Sequence, residues 1–386
     1  MKRILHILSG NNTFSGVASY LYQQYIHIDR DKVRYDFFFC KENSMEPVMN
    51  DVLFQDSKFY VSNARMKKTG STNYLKIMRD LNKILMATKY DAVVVNTSII
   101  MINYVCLRVV RKHTGVRFIA HAHNTGLVLN KGALRNRIMP IVRFIDNLLR
   151  KRIRVEAYAL FGCSEEAGKA TFGQSVIQLE KFKIVRNAID IAKFRYNESI
   201  AKSVRREMGI DDSTLIIGNV GRLANIKNQR FLIEVFSTLK KQKQNSKLWL
   251  IGDGPDKVML MDLAKTLKVE NDVIFLGQKL DVYRYLQAMD LFVFPSLSEG
   301  LGIVAIEAQA AGLPVVVSNG VPKDVMLTPL VRMISLSENS ESWANELLSL
   351  YEEIREHFDY NELLMNAGYD IETTAHQIME YYLNSI

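Results

Sequence analysis

A chain of 386 residues, 48% hydrophobic and 24% charged, has the composition of a globular protein and the length for two domains of about 150–200 residues each. Three cysteines in no disulfide or metal spacing, no low-complexity tract and no apolar run of roughly 18 residues exclude a disulfide scaffold, a disordered chain and a membrane span. The net charge of +9 is unevenly divided: residues 1–193 carry 31 Lys and Arg against 15 Asp and Glu, residues 194–386 carry 19 against 26. That asymmetry sets a domain boundary near the middle and turns the first half toward an anionic partner.

Arg3 to Leu8 reads as a first strand, too short and too soon interrupted to be a signal peptide. It runs into a loop of turn formers, residues 9–16, and then a helical pattern through Val17, Leu21 and Gln24. Such a loop lies at the carboxyl edge of a parallel sheet, where ligands bind. Tyr35–Phe39 and Ala92–Val95 are further strands, with a helix over Tyr74–Met86 between them. Arg117–Asn124 is a strand ending in two histidines, and alternation puts His121 and His123 on one face. No carboxylate or cysteine spacing converges with them, so no metal is expected.

Between Lys131 and Arg154 stand eight basic residues, among them Arg143, Arg150, Lys151 and Arg152, with Asp146 the only acid. Ile138, Ile141, Val142, Ile145, Leu148 and Leu149 add an apolar stripe at helical spacing. A basic amphipathic helix of this kind suits an anionic membrane surface or a lipid diphosphate. Nucleic acid is not expected, because no basic motif interleaved with aromatics appears.

The second half opens on a strand, Thr214–Val220, followed at once by Gly221-Arg222 and, five residues later, Lys227. A planar guanidinium and a compact ammonium on one turn can grip a diphosphate from two directions. Leu248–Ile251 and Val273–Leu276 are strands whose turns leave at the same edge; Gly277, Gln278 and Lys279 form a loop suited to lie against a nucleobase. A short helix, Val282–Ala288, leads to the strand Leu291–Phe294 and then to Ser298-Glu299-Gly300-Leu301-Gly302-Ile303. Here the glycines allow a sharp turn into a helix whose first amides, lacking internal partners, suit an anion. Glu307 lies one turn further on and Glu299 just ahead of the helix, acceptors for hydroxyls on either side of a phosphate. The pattern suits a nucleotide sugar. Val315–Val317 is the next strand, and the chain from Trp343 onward reads as helices, with Met379, Tyr382 and Leu383 on a packed face.

Residues 299–315 match E-G-x-G-x-x-x-x-E-A-x-A-x-G-x-P-V, and the stretch resembles the donor-site signature of retaining glycosyltransferases of family 4. Gly221 to Lys227 is similar to the same family's G-R-x-x-x-x-K phosphate site. Leu301 stands where Phe is commonest, and Ala188 replaces a glycine in the segment Asn187–Phe194 that joins the domains. The resemblance implies an α/β GT-B fold: two doubly wound Rossmann-like domains facing a central cleft. The acceptor domain would span 1–193, completed by a C-terminal helix over 370–386, and the donor domain 194–369. It further implies transfer of a hexose, with retention, from an NDP-sugar (UDP-sugar preferred) to a hydroxyl of a lipid-linked saccharide or other acceptor. Capsule or exopolysaccharide synthesis at the inner face of a bacterial membrane is the expected setting, with a cytoplasmic, peripheral protein. No metal or other cofactor is expected. Arg222, Lys227, Gly302 and Ile303 would hold the leaving diphosphate, with Gly16 at its edge. Glu299, Gly300 and Leu301 would meet the sugar, Glu307 the ribose, and His123 the sugar side of the cleft. A nucleotide-sugar epimerase of the same fold and a non-catalytic lipid- or partner-binding scaffold are the alternatives.

Overall fold

The computed structural model describes residues 1–9, 16–43, 45–46, 48–64, 72–123, 133–354 and 357–386, and of 133–143 the backbone only. By its contacts the chain divides into two units, Met1–Ala188 with Ile371–Ile386, and Ile189–Asp370.

Runs of Val, Ile, Leu and Phe bounded by turn residues build the sheets. The first holds β1 (Lys2–Leu8), β2 (Val33–Phe39), β3 (Phe59–Val61), β4 (Ala92–Asn96), β5 (Arg117–Ala122), β6 (Ala159–Gly162) and β7 (Phe182–Ile184), in the order β3-β2-β1-β4-β5-β6-β7. The second holds β8 (Leu215–Val220), β9 (Ser246–Ile251), β10 (Val273–Gly277), β11 (Leu291–Phe294), β12 (Val315–Ser318) and β13 (Val331–Ile334), in the order β10-β9-β8-β11-β12-β13. Every pairing between these strands is parallel. Because helices cover both faces, the central strands β4, β8, β11 and β12 are buried at every position and read as continuous apolar runs. Each sheet starts in the middle, winds to one edge, then returns and winds to the other. Both units are thus doubly wound and Rossmann-like. The edge strands β3, β7 and β13, three or four residues long, carry too little pattern to be read from sequence.

Two cores flank each sheet. In the first unit the C-terminal helix Ile371–Ser385 buries Ile371, Ala375, Ile378, Met379 and Tyr382 in the core that also holds Tyr20, Tyr25, Tyr35 and Phe37, as expected for 379 and 382. Cys40, Cys106 and Cys163 are buried in the same unit. Residues 189–193, assigned from the sequence to the first domain, pack in the second. Ile189 and Ile191 are buried in its core, and the Ile189 N–H donates to Tyr369 O at 2.9 Å. The charge count had drawn the boundary past these residues, but apolar side chains follow the core that covers them.

Candidate functional site

In the second sheet the strand order reverses between β8 and β11, and in doubly wound sheets ligands bind beyond the carboxyl ends of the strands at such a reversal. Two loops leave there, residues 221–228 and 295–302. The Leu297 N–H donates to Ile226 O at 2.8 Å and Asn228 Nδ2 to Pro295 O at 3.1 Å, sewing the two together. The loop after β12 joins them where the Glu299 N–H donates to Gly320 O at 3.1 Å. After β9, Gly252 takes φ +137°, and a Cβ there would lie 2.0 Å from Gly221 O; only glycine lets the turns after β8 and β9 approach so closely.

Gly302, at φ +87°, starts the helix Ile303–Ala310. No side chain caps it, so its first amides keep their donors free of helix partners. A Cβ on Gly302 would stand 3.1 Å from Phe294 Cε1, so the Phe294 ring lies directly against the helix start. The same ring carries Lys227, whose Nζ is 5.0 Å from its centroid. One aromatic side chain therefore brings the lysine and the helix N-terminus together. Lys227 also donates to Glu299 Oε1 at 2.6 Å, with both side chains largely buried. Arg222 projects from the same turn, exposed, its guanidinium without hydrogen bond or ion pair among the described residues. Its carbonyl accepts from Gln229 Nε2 at 3.1 Å, and Gln229, fully buried, also reaches Asn219 Oδ1. The amide of Gln229 thus pins the turn that presents Arg222 and Lys227.

Glu307 lies a turn beyond Ile303, half-buried, with no hydrogen bond or ion pair to its carboxylate among the described residues. Desolvation by burial alone pushes its pKa up to about 7. A carboxylate left short of partners beside a helix start is placed to accept hydrogen bonds from a ligand's hydroxyls. Two strands from the reversal, β10 ends at Gly277; Gln278 is exposed, and Lys279 Nζ lies 5.2 Å over the Tyr285 ring.

The first sheet reverses between β1 and β4, and there a buried polar cluster forms. His123, just past the end of β5 and 6% exposed, is engaged at both ring nitrogens, Nδ1 by Asn187 Oδ1 at 2.9 Å and Nε2 by Asn96 Oδ1 at 3.1 Å. Asn96 Nδ2 donates in turn to Val94 O and faces His6 Nδ1 at 3.2 Å. The His121 and His123 rings lie 3.9 Å apart, one face as expected. Burial lowers the pKa of His6 to about 3 and of His123 to about 4, and drives His121 well below its ordinary value. A neutral imidazole donates once, so one of the two amides must present its NH₂ to His123. His123 stands at the strand tip, as expected, and is held there between two asparagines, because Asn187 returns across it from a distant part of the chain. Among the described residues no group of three or more His, Cys, Asp or Glu is arranged to hold a metal ion.

The basic segment forms the helix Ala133–Glu156. Its expected apolar stripe is not simply core: Leu149 packs inward, while Phe144, Ile145 and Leu148 are exposed. Arg152 donates to Glu156 Oε1 at 2.9 Å, Arg150 is half-buried and Lys151 exposed. The loop 10–15, Asn124, Lys131 and the side chains of Arg135, Arg137, Ile138, Ile141, Val142 and Arg143 lie outside the described residues. Gly16 begins the helix Gly16–Ile26 with open space where a Cβ would stand. Among the described residues no helix is long and apolar enough to cross a membrane.

Residues 201–362, all within the second unit, match the family model of glycosyl transferases group 1. EpsF of Bacillus subtilis (strain 168), named as a glycosyltransferase, is 30% identical over 384 residues, covering 99% of this chain and 96% of EpsF. Among solved structures, Anabaena Alr3699/HepE in complex with UDP-glucose superposes with a TM-score of 0.73 at 18% identity over 100% of both chains. WaaG, a glycosyltransferase involved in lipopolysaccharide biosynthesis, gives 0.70 at 16% identity, over 98% of this chain and 95% of WaaG. The fold is therefore GT-B, and the chain belongs to the group 1 glycosyltransferases. It is a transferase.

Proposed function

We propose that this glycosyltransferase takes a hexose from a UDP-sugar and passes it to an acceptor hydroxyl with retention at the anomeric carbon. The reading is carried by the Phe294 ring, which gathers the Lys227 ammonium and the uncapped start of Ile303–Ala310 beside the exposed Arg222. The bond between the anomeric carbon and the β-phosphate oxygen breaks, and a new one forms to the acceptor oxygen. The acceptor's proton passes to an oxygen of the departing diphosphate. Charge growing on that diphosphate is met by Arg222, Lys227 and the amides of Gly302 and Ile303, fixed cationic and dipolar groups that lower the barrier without a metal ion. Glu307 accepts from the ribose hydroxyls and Glu299 from the sugar. Gly16 and the Gln278–Lys279 loop are assigned to the edges of the nucleotide. His123, held neutral between Asn96 and Asn187, serves as a positioning residue rather than a proton carrier.

The acceptor is a lipid-linked saccharide at the inner face of a bacterial membrane, in surface polysaccharide synthesis. Supporting this are the basic first half and the exposed Phe144, Ile145 and Leu148 beside Arg150 and Lys151. The similarity to WaaG points the same way. A thermal-shift and calorimetric screen of UDP-, GDP- and ADP-sugars tests the donor, with UDP-sugars expected to raise Tm and transfer expected to survive EDTA. Isomerised UDP-sugar formed without acceptor would instead make the protein an epimerase. Binding of no nucleotide sugar would leave it a scaffold.

A further inference from the structure

The buried face of the helix Ile303–Ala310 is apolar except for one side chain, Gln309, which is fully enclosed. Gln309 Nε2 donates to Ala305 O at 3.0 Å, one turn back, and to Val325 O at 2.8 Å, and its Oε1 accepts from Thr328 Oγ1 at 3.0 Å. Carbonyl oxygens only accept, so the amide can face one way, and both of its protons are used. These bonds hold the loop after β12, residues 319–328, by its far end. At the near end Ser318 Oγ donates to Ser296 O and Gly320 O accepts from the Glu299 N–H, tying the loop to the segment before the helix. In the middle Val321 and Val325 are buried, with Cγ1 atoms 3.3 and 3.7 Å from the place a Cβ on Gly302 would take. One loop therefore reaches the Glu299 segment, the helix start at Gly302 and the last turn of the helix at Gln309.

We propose that Gln309 is a positioning residue for the donor's sugar-bearing phosphate: by anchoring residues 319–328 it keeps Gly302 backed by Val321 and Val325, and so aims the amides of Gly302 and Ile303. The proposal rests on the donor-site reading above and adds to it a residue that touches no part of the donor. Glu299, assigned to the sugar, lies three residues before Gly302, which puts the helix start at the phosphate next to the sugar. Hydrogen bonds from amides to a phosphate weaken steeply once distance and angle drift. An apolar side chain at 309 would take the acceptor from the Thr328 hydroxyl and one donor from Val325 O, releasing the far end of the loop in an interior where such bonds are costly to lose. The loss then falls on ligands that carry the second phosphate and spares the base, the ribose and the phosphate attached to it.

The test is calorimetry on the full-length chain with UDP, and with UMP by displacement of UDP, at a temperature where circular dichroism shows each variant folded. Gln309→Met keeps the length of the side chain and removes its amide. Thr328→Val removes only a hydroxyl, and carries the test if Gln309→Met does not fold; Thr328→Ser keeps the hydroxyl. Gln309→Met weakens UDP by about three- to tenfold and UMP by about twofold or less. Thr328→Val does the same to a smaller degree, and Thr328→Ser binds both ligands as the unsubstituted chain does. Gln309→Met combined with Thr328→Val is no weaker than Gln309→Met alone, since both cut one link. Equal losses for UDP and UMP, or unchanged UDP affinity in the folded variants, would make the Gln309 contacts purely structural and overturn the proposal while the donor site stands. UDP affinity absent from the unsubstituted chain, or indifferent to Lys227→Ala, would overturn the donor-site reading itself, and this proposal with it.

Discussion

Glu307, proposed to meet the ribose, is marked by what it lacks. Its neighbours on the helix Ile303–Ala310 are buried apolar side chains, Ile306 and Ala308 among them, and among the described residues no cation or donor compensates the carboxylate. Its pKa, about 7 in the folded chain, lies above the ordinary 4.5, so the unfolded chain gives up this proton first as pH rises. Stability is therefore highest below about pH 4.5 for this group and declines as pH rises through about 7. Glu307→Gln should stabilise the nucleotide-free protein by about 1–2 kcal/mol at pH 8 and change it little at pH 4. The same substitution should weaken UDP several-fold, because an amide accepts one hydroxyl less well than a carboxylate accepts two. Urea unfolding at the two pH values, with UDP titrations alongside, checks both halves.

A single helix can hold two jobs on its two sides. Ala133–Glu156 buries Leu149 and Ile153 against the first core and offers Phe144, Ile145, Leu148 and Val155 to solvent. Beside them stand Arg150 and Lys151, whereas the charge of Arg152 is already answered by Glu156, which also binds Arg111. An apolar row flanked by cations suits the headgroup layer of the proposed membrane contact, each well-placed cation contributing about 1 kcal/mol. Neutralising Arg150, Lys151 and Arg152 together should cut partition onto vesicles containing anionic lipid by about 10- to 100-fold at low salt. Phe144→Asp with Leu148→Asp should reduce partition even where the charges remain. Flotation with and without anionic lipid reads both; equal recovery of all variants would remove the membrane from the proposal.

At the scale of the whole molecule, ion pairs occur in both Rossmann-like units, Arg3 with Asp36 in the first among them. The second is knit by ion pairs such as Arg205 with Asp290 and Lys247 with Asp272. The first holds His6, His121, His123, Asn96 and Asn187 in one buried cluster drawn from β1, β4, β5 and the segment after β7. Folded values of about 3 for His6 and about 4 for His123 lie below the ordinary 6.5, so the unfolded chain binds protons that the folded one refuses. Between pH 7 and pH 5 each of the two removes about 2 kcal/mol of stability from the first unit. The urea midpoint should fall accordingly over that range, and by less in His6→Asn, which cannot titrate. An unchanged midpoint would mean that water or rearrangement solvates the rings.

Fold class and the main strands were legible because helix-covered parallel strands must be apolar at every position, a pattern visible in Val93–Val95 or Leu291–Phe294 without any structure. The positions of the glycines, Arg222, Lys227, Glu299 and Glu307 at turns and a helix start could be read too, since each lies within a few residues of a turn that the local chain alone creates; their roles stay with the proposal. Side chains that meet from distant positions were not. Phe294 reads only as a strand residue until Lys227, 67 positions earlier, is found on its ring. Asn187 reads as part of a linker until it closes over His123. The pairing of Lys227 with Glu299 likewise depended on loops after β8 and β11 being sewn together. Sequence spacing governs which groups share a turn or a face; only the assembled sheet, by bringing together loops from different crossovers, decides which of those groups touch.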